Sequence, residues 1–285
     1  MNRLFILLFL LLLALPAWSE TNRPFPRVNP AVSLPTTLTF TVWGDFRPAG
    51  PDKPYPPQFR QILDLMRADK PDFAASVGDA WYGYGGSFDH FRSEIDAFMA
   101  QVDKWDVPLY SAFGNHEVTG SAEREEYLKK RFGNLFGSFD FGDAHFIFLD
   151  SDEVGKEGVI SGKQLSWLEC DLETNRGTSA VFVFLHRPLF SVEDPELKRG
   201  RSFRNRENRD ALHRLFVTYR VKAVFAGHEH LFDERTVDGI RYYITGGGGA
   251  PMGAIPDKGG FFHYLLVTVS GKKVAVEVKR LQERL

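Results

Sequence analysis

Five apolar, strand-like runs in this chain each stop on a residue able to bind a metal. TFTVWGD ends at Asp45, FAASVGDAWY at Asp79 and Tyr82, LYSAFGNHE at Asn115 and His116, VFVFLHRP at His186, and AVFAGHEH at His228 and His230. In an open α/β sheet, ligands gather in the crevice outside the carboxyl ends of the strands, so five such endings point at one place. The chemistry that wants these residues is phosphate-ester hydrolysis, in which the phosphoryl oxygens repel a nucleophile and the leaving alkoxide is poor. Two cations about 3.5 to 4 Å apart neutralise those oxygens and lower the pKa of a bound water from about 15.7 to about 7. Holding them so close takes an anionic bridge, and Asp79 can reach both. Imidazoles at His186, His228 and His230 suit zinc, manganese or iron, whereas calcium and magnesium favour an all-oxygen shell. A His-x-His pair after a strand is by itself weak evidence, because two satisfied surface imidazoles look the same. Its weight comes from convergence with the other four endings.

The elements that would position these residues alternate between strand and helix. After a strand from about Thr37 to Asp45 and a proline-rich loop, Phe59, Ile62, Leu63 and Met66 recur at helical spacing. Asp72 to Val77 is a second strand, Phe91, Ile95, Phe98, Met99 and Val102 mark a helix face, and Pro108 to Phe113 is a third strand. Strand, helix, strand in this order implies a parallel sheet with right-handed crossovers. A charged helix near Ala122 to Phe132 is followed by a hairpin about Gly142-Asp143. Ser161 to Gln164 has the pattern of a capping box opening a helix with Leu165, Leu168 and Leu172 inward. Val181 to Leu185 and Ala223 to Ala226 are further strands, separated by a helix bearing Leu212, Leu215, Phe216 and Tyr219 on one face. From Leu231 onward the pattern is of hairpins, with turns at Asp238-Gly239 and Ser270-Gly271, so the carboxyl end is expected to be antiparallel. The fold class is α/β: a layered sandwich of two mixed β-sheets flanked by helices.

At 285 residues and 43% apolar content the chain can bury one sizeable core, and one domain over residues 37–285 is expected. The formal charge of -2 provides no global basic field, which disfavours nucleic acid as a partner. Residues 1–19 have the anatomy of a secretory signal: Arg3, an apolar run from Leu4 to Leu15, then Ala17-Trp18-Ser19 as a cleavage site before Glu20. A secreted or periplasmic protein is expected, with no membrane span left after cleavage, since about 20 apolar residues are needed to cross a bilayer. Residues 20–36, rich in proline, read as a linker. The single cysteine, Cys170, can form no internal disulfide. Nothing points to an obligate protein partner.

Gly44-Asp45, Gly78-Asp79-x-x-Tyr82, Gly114-Asn115-His116-Glu117, the lone His186 and Gly227-His228-x-His230 stand in the order found in calcineurin-like metallophosphoesterases. The tyrosine after the second Gly-Asp resembles the purple acid phosphatase branch. The resemblance runs from about Thr37 to about Pro251. It implies a first metal held by Asp45, Asp79, Tyr82 and His230, and a second by Asp79, Asn115, His186 and His228, with Asp79 bridging. The ions implied are divalent or trivalent, iron paired with iron, zinc or manganese. His116 would then contact the phosphoryl group and protonate the leaving oxygen, and Glu117 would orient or polarise it. The first motif departs from the family, with Arg47 where a histidine or glycine is usual. A guanidinium has no lone pair for a metal. Arg47 can bind a substrate phosphate through its fork of donors, or pair with a carboxylate behind the metals.

Other features carry two readings each. Trp81, Tyr82 and Tyr84 could pack over the site instead of ligating, and Gly246 to Gly249 could let backbone approach a ligand or simply turn between strands. The basic run Lys198 to Arg209 could be a lid for polyanions or a solvated loop. His90, His145, His213 and His263 read as structural. The leading reading is an exported dinuclear-metal enzyme that hydrolyses a small phosphomonoester by attack of a metal-bound hydroxide. A phosphodiesterase or nucleotide pyrophosphatase on the same metal core is an alternative, and a non-catalytic metal- or phosphate-binding surface protein is another.

Overall fold

A computed structural model describes residues 37–192, 203 and 205–282. The expected signal and linker, and most of the basic run from Lys198, lie outside these residues. Strands β1 (Leu38–Trp43), β2 (Phe73–Ser76) and β3 (Leu109–Ser111) run parallel, joined through helices α1 (Pro57–Ala68) and α2 (Phe88–Val102). Along β1, Phe40 and Val42 alternate with Thr41 and Trp43, so both faces of the strand are buried in different layers. After β3 come α3 (Asn115–Val118), a single turn that hydrophobic periodicity is too short to reveal, and α4 (Ala122–Phe132).

The second sheet is built from β4 (Gly137–Phe141), β5 (Ala144–Phe148), β6 (Ala180–Phe184), β7 (Ala223–Ala226), β8 (Phe232–Val237) and β9 (Ile240–Thr245), in the order β4-β5-β6-β7-β9-β8. Helices α5 (Gly162–Thr174) and α6 (Arg206–Thr218) cover its outer face. Strands β10 (His263–Ser270) and β11 (Lys273–Arg280) return to the first sheet, whose order is β11-β10-β1-β2-β3. The layered α/β sandwich with two mixed sheets is therefore the fold. Two local expectations change. The carboxyl end is not wholly antiparallel, because β9 pairs parallel with β7 and only its other edge takes β8 antiparallel. Ser161 precedes α5 but its hydroxyl makes no capping bond. Gln164 is turned inward instead, its Oε1 accepting from Asp150 N at 2.8 Å and its Nε2 donating to Asp150 O at 2.9 Å. The chain leaves the sheet there, and a buried peptide without a ladder partner must be paired by a side chain.

Aromatic side chains fill the space between the sheets. The Phe40 ring stacks on Phe73 at 5.0 Å and meets Phe146, Phe182, Phe184 and Phe225 edge-on from the opposite sheet, at 5.4 to 6.3 Å. On the outer faces, α1 and α2 pack Phe59, Ile62, Phe91 and Ile95 over the first sheet, while α5 and α6 pack Leu168, Leu172, Leu212 and Phe216 over the second. The sandwich thus locks the parallel strands of both sheets in one frame, and the loops at their carboxyl ends inherit that rigidity. No helix of the described residues is long and apolar enough to cross a membrane.

Candidate metal centre

The candidate ligands sit in the loops just beyond the carboxyl ends of parallel strands, two to six residues past each strand's last residue. Asp45 follows β1, Asp79 follows β2, Asn115 and His116 open α3 after β3, His186 follows β6, and His228 and His230 follow β7. Four of them, Asp45, Asp79, His228 and His230, have φ between 51° and 71°. Left-handed backbone at a non-glycine residue costs on the order of 1 to 3 kcal/mol each and persists only where the surroundings impose it. Here the surroundings are the loops themselves. Asp45 N donates to Gly78 O at 3.0 Å, Phe46 N and Arg47 N both donate to Asp79 O, and Gly227 N donates to His186 O at 2.9 Å.

Asp45 is fully buried. His228 N donates to both of its carboxylate oxygens, at 3.1 and 2.8 Å, and His230 Nε2 lies 3.3 Å from Oδ1. Glycine is required around it at two places. A Cβ on Gly227 would overlap Asp45 Oδ2, and one on Gly246 would come within 2.9 Å of the same oxygen and 2.8 Å of His230 N. Of the glycine run, Gly246 makes its close approach to the protein's own carboxylate, while Gly247 and Gly248 lie against the His263 ring and Gly44 O. Asp45, Asp79 and His230 form one cluster, each offering an atom within 4.8 Å of the others.

A second cluster shares Asp79. His186 Nε2 is 3.3 Å from Asp79 Oδ1, 3.1 Å from Asn115 Oδ1 and 3.0 Å from His228 Nδ1. The outward nitrogens are held by backbone: His186 Nδ1 donates to Val77 O at 2.8 Å and His230 Nδ1 to Pro251 O at 2.7 Å, leaving each Nε2 lone pair facing the cluster. Asn115 is oriented in the same way, since its Nδ2 donates to Tyr84 Oη at 3.1 Å and its Oδ1 turns inward. His228 differs in that its outward Nε2 lies 3.1 Å from Arg187 Nη1 instead of against a backbone carbonyl.

These donors fit cations. Nitrogen and oxygen atoms of mixed type converge on two sides of one buried carboxylate, while Arg47 Nε stays 3.9 Å from Asp79 Oδ2. Buried carboxylates are stable only when their charge is balanced. Burial opposes ionisation of Asp79, but His186, His116, Arg47 and His230 outweigh it and hold its carboxyl below the usual range. Burial likewise opposes charge on His186 and His230, and the neighbouring aspartates, Asp79 for the first and Asp45 for the second, raise both above the ordinary imidazole value.

His116 N donates to Asp79 Oδ1 at 3.1 Å, and its Nδ1 is held by the carbonyl of Tyr82, so Nε2 faces inward, 3.9 Å from Asp79 Oδ2. Glu117 does not orient it. Buried beneath the loops, the Glu117 carboxylate accepts from Asp79 N at 2.9 Å, Ala80 N at 2.5 Å and Gly114 N at 2.6 Å. It ties the second and third strand ends together, and burial with the Asp79 charge nearby pushes its carboxyl up to about 7. Tyr82 is known by its ring, which lies 5.6 Å from that of His116 and 5.7 Å from the Arg47 guanidinium carbon. Arg47 donates through Nη1 to Pro48 O at 3.0 Å, and its buried Nε has no hydrogen-bond partner.

Three residues escaped the sequence reading. Asp150 and Asp152 end a sixth strand at the same rim, and the run HFIFLDSD bears the apolar-then-acid signature of the runs that stop at Asp45 and Asp79. Asp152 receives Arg187 through Nε and Nη2, both at 2.7 Å, and so anchors the guanidinium that meets His228. Burial pushes Asp150 up to about 8, leaving it mostly protonated near neutral pH. Tyr84, read only as packing, positions Asn115 and covers His116 edge-on at 4.6 Å. The four discounted histidines lie outside the cluster. His145 bridges Asp140 and Asp171, His213 bridges Tyr242 and Asp238, His90 faces Asp52 and Glu94, and His263 pairs with Thr245.

Comparison with known proteins gives a match to the calcineurin-like phosphoesterase family over residues 38–232. Phosphoenolpyruvate phosphatase of Allium cepa is 34% identical over 215 residues, which are 69% of this chain and 40% of that protein. "Probable inactive purple acid phosphatase 9" of Arabidopsis thaliana is 24% identical over 212 residues, 60% of this chain and 31% of that one. The chain thus spans well under half the length of these two relatives. Among solved structures, purple acid phosphatase PPD1 from yellow lupin (Lupinus luteus) seeds superposes with a TM-score of 0.66 at 20% identity, over 86% of this chain and 51% of that one.

Proposed function

The chain belongs to the calcineurin-like phosphoesterase family, and on that premise we propose that it is an exported, dinuclear-metal phosphatase of purple acid phosphatase type acting on small phosphomonoesters. The observation that carries the reading is Asp79, one buried carboxylate with inward-facing donors on both sides. Asp45, Asp79, His230 and Tyr82 would hold one ion, and Asp79, Asn115, His186 and His228 the other. When bound, the pair supplies a water of lowered pKa and neutralises phosphoryl oxygens.

The protein's own groups do the rest. Arg47, with an unpartnered buried Nε and a fork of donors beside Asp79, binds a phosphoryl oxygen. His116, its Nδ1 held by Tyr82, has Nε2 directed to the same side and, in its imidazolium form, gives from that nitrogen the proton that the leaving oxygen needs. Tyr84 fixes Asn115, and Glu117 fixes the backbone from which Asp79 and Asn115 project. Pro251 and Val77 carbonyls hold the tautomers of His230 and His186, so these imidazoles arrive with the lone pair already aimed.

The test is the metal-replete protein. Two equivalents of metal, with nitrophenyl phosphate turned over faster than bis-nitrophenyl phosphate, is the expected result. Faster diester cleavage would overturn the monoester assignment. A ferric tyrosinate band in the visible spectrum would assign Tyr82 as a ligand, and a colourless iron-loaded protein would remove it. A second reading, a non-catalytic metal- or phosphate-binding protein, draws support from the relative named as probably inactive. Two bound metals with no turnover of either ester would favour it.

A further inference from the structure

A groove opens beside the first-metal cluster and continues away from it along the proline-rich loop after β1. Its walls include Arg47, Lys53, Pro54, Pro56, Pro251 and Phe262, and its volume is about 450 Å³, within the range of about 300 to 1,000 Å³ usual for small-ligand sites. Two of these residues touch the candidate metal ligands. Pro251 O accepts from His230 Nδ1 at 2.7 Å, and Arg47 Nε is 3.9 Å from Asp79 Oδ2. Arg47, which neighbours Asp79 and also lines the groove, makes the two adjoin.

The wall chemistry is selective. Prolines and the Phe262 ring present flat apolar surface, which recognises a ring or another planar apolar body. The cations are confined to Arg47 at the inner end and Lys53 at the rim, and Lys53 has no ion-pair partner among the described residues. An apolar wall with an unpaired ammonium at its outer end fits a planar apolar group bearing a negative charge of its own. The rim is also cheap to build on, because Ala49 and Lys53 lie exposed on the loop and support no core.

We propose that this groove is the leaving-group subsite, and that the natural ester carries a planar, apolar leaving group with a second anionic charge that pairs with Lys53. This rests on the phosphoesterase reading above and names the substrate class for the same site.

Calorimetric titration of the metal-replete protein with methylphosphonate, phenylphosphonate and 4-carboxyphenylphosphonate tests it without turnover. Phenylphosphonate is expected to bind about tenfold more tightly than methylphosphonate, and the carboxylated ring about threefold more tightly again at low salt. Ala49→Trp, which fills the groove from an exposed position, is expected to erase the ring preference while leaving methylphosphonate unchanged. Lys53→Ala is expected to erase only the carboxylate preference. Equal affinities for all three ligands in the wild-type protein, or ratios untouched by both substitutions, would overturn the subsite while leaving the phosphoryl site intact. Absence of methylphosphonate binding would instead overturn the phosphoesterase reading on which the subsite depends.

Discussion

His116 and Asp79 lie within one hydrogen-bond network but answer to different tests. Replacing His116 with alanine removes the inward Nε2 yet no candidate ligand, so both metals should stay while kcat falls by about 10² to 10⁴. Stopped-time assays on protein of measured metal content check this, and unchanged turnover would strip His116 of its proton-donating role. Asp79→Asn removes the shared negative charge. Metal content should drop below two equivalents per chain on elemental analysis, and retention of two would contradict the bridge. Glu117→Gln is a test of scaffold. The amide must set its own N–H groups against three backbone donors, so the metal-free protein should lose about 1 to 3 kcal/mol in urea denaturation. At this scale the sequence was legible wherever chemistry follows from residue type and spacing: Asp45, Asp79, Asn115, His186, His228 and His230 do gather at one rim. Glu117 was misread because adjacency to His116 in sequence says nothing about where a side chain in a one-turn helix points. Asp150 and Asp152 close an apolar run of the same kind, but without the glycine that precedes Asp45 and Asp79 in their motifs.

Elements were read well where periodicity is long and poorly where a single turn or a single bond decides. The spans of α1, α2 and α5 follow their apolar spacing, since three or more turns repeat the signal. The parallel pairing of β9 with β7 is invisible locally, because the hairpin with β8 dominates the pattern and the long-range partner leaves no mark in the neighbouring residues. One element-level consequence concerns His263 on β10. Burial, aided by Arg280, lowers its pKa from the ordinary 6.5 to about 4, so the folded protein holds this imidazole neutral where the unfolded chain would take up a proton. With a depressed folded value, the stabilising contribution is complete above about pH 6.5 and is lost as pH falls towards 4, on the order of 3 kcal/mol in all. Denaturation curves at pH 7 and pH 4.5 should show this loss in the wild-type protein and a smaller one in His263→Gln. An equal loss in both would remove His263 as its source.

For the whole molecule, the sandwich is what turns scattered strand ends into a centre. Phe40 lies between the sheets and touches aromatic rings of both, so Phe40→Ala should cost about 3 to 5 kcal/mol and loosen the alignment of the two rims on which Asp45 and Asp79, from one sheet, meet His186, His228 and His230, from the other. Global unfolding by denaturant measures the first effect and metal affinity the second, and the two should fall together. The two-sheet architecture was foreseeable from the alternation of elements. The facing of the rims was not, because the packing of one sheet on another is set by side-chain volumes summed over the entire interface. The most direct test of the central claim is anomalous diffraction from crystals of the metal-replete protein. The account expects two peaks, one beside Asp45 and His230 and one beside Asn115, His186 and His228, with Asp79 contacting both. A single peak, or ions bound anywhere other than against Asp79, would contradict it.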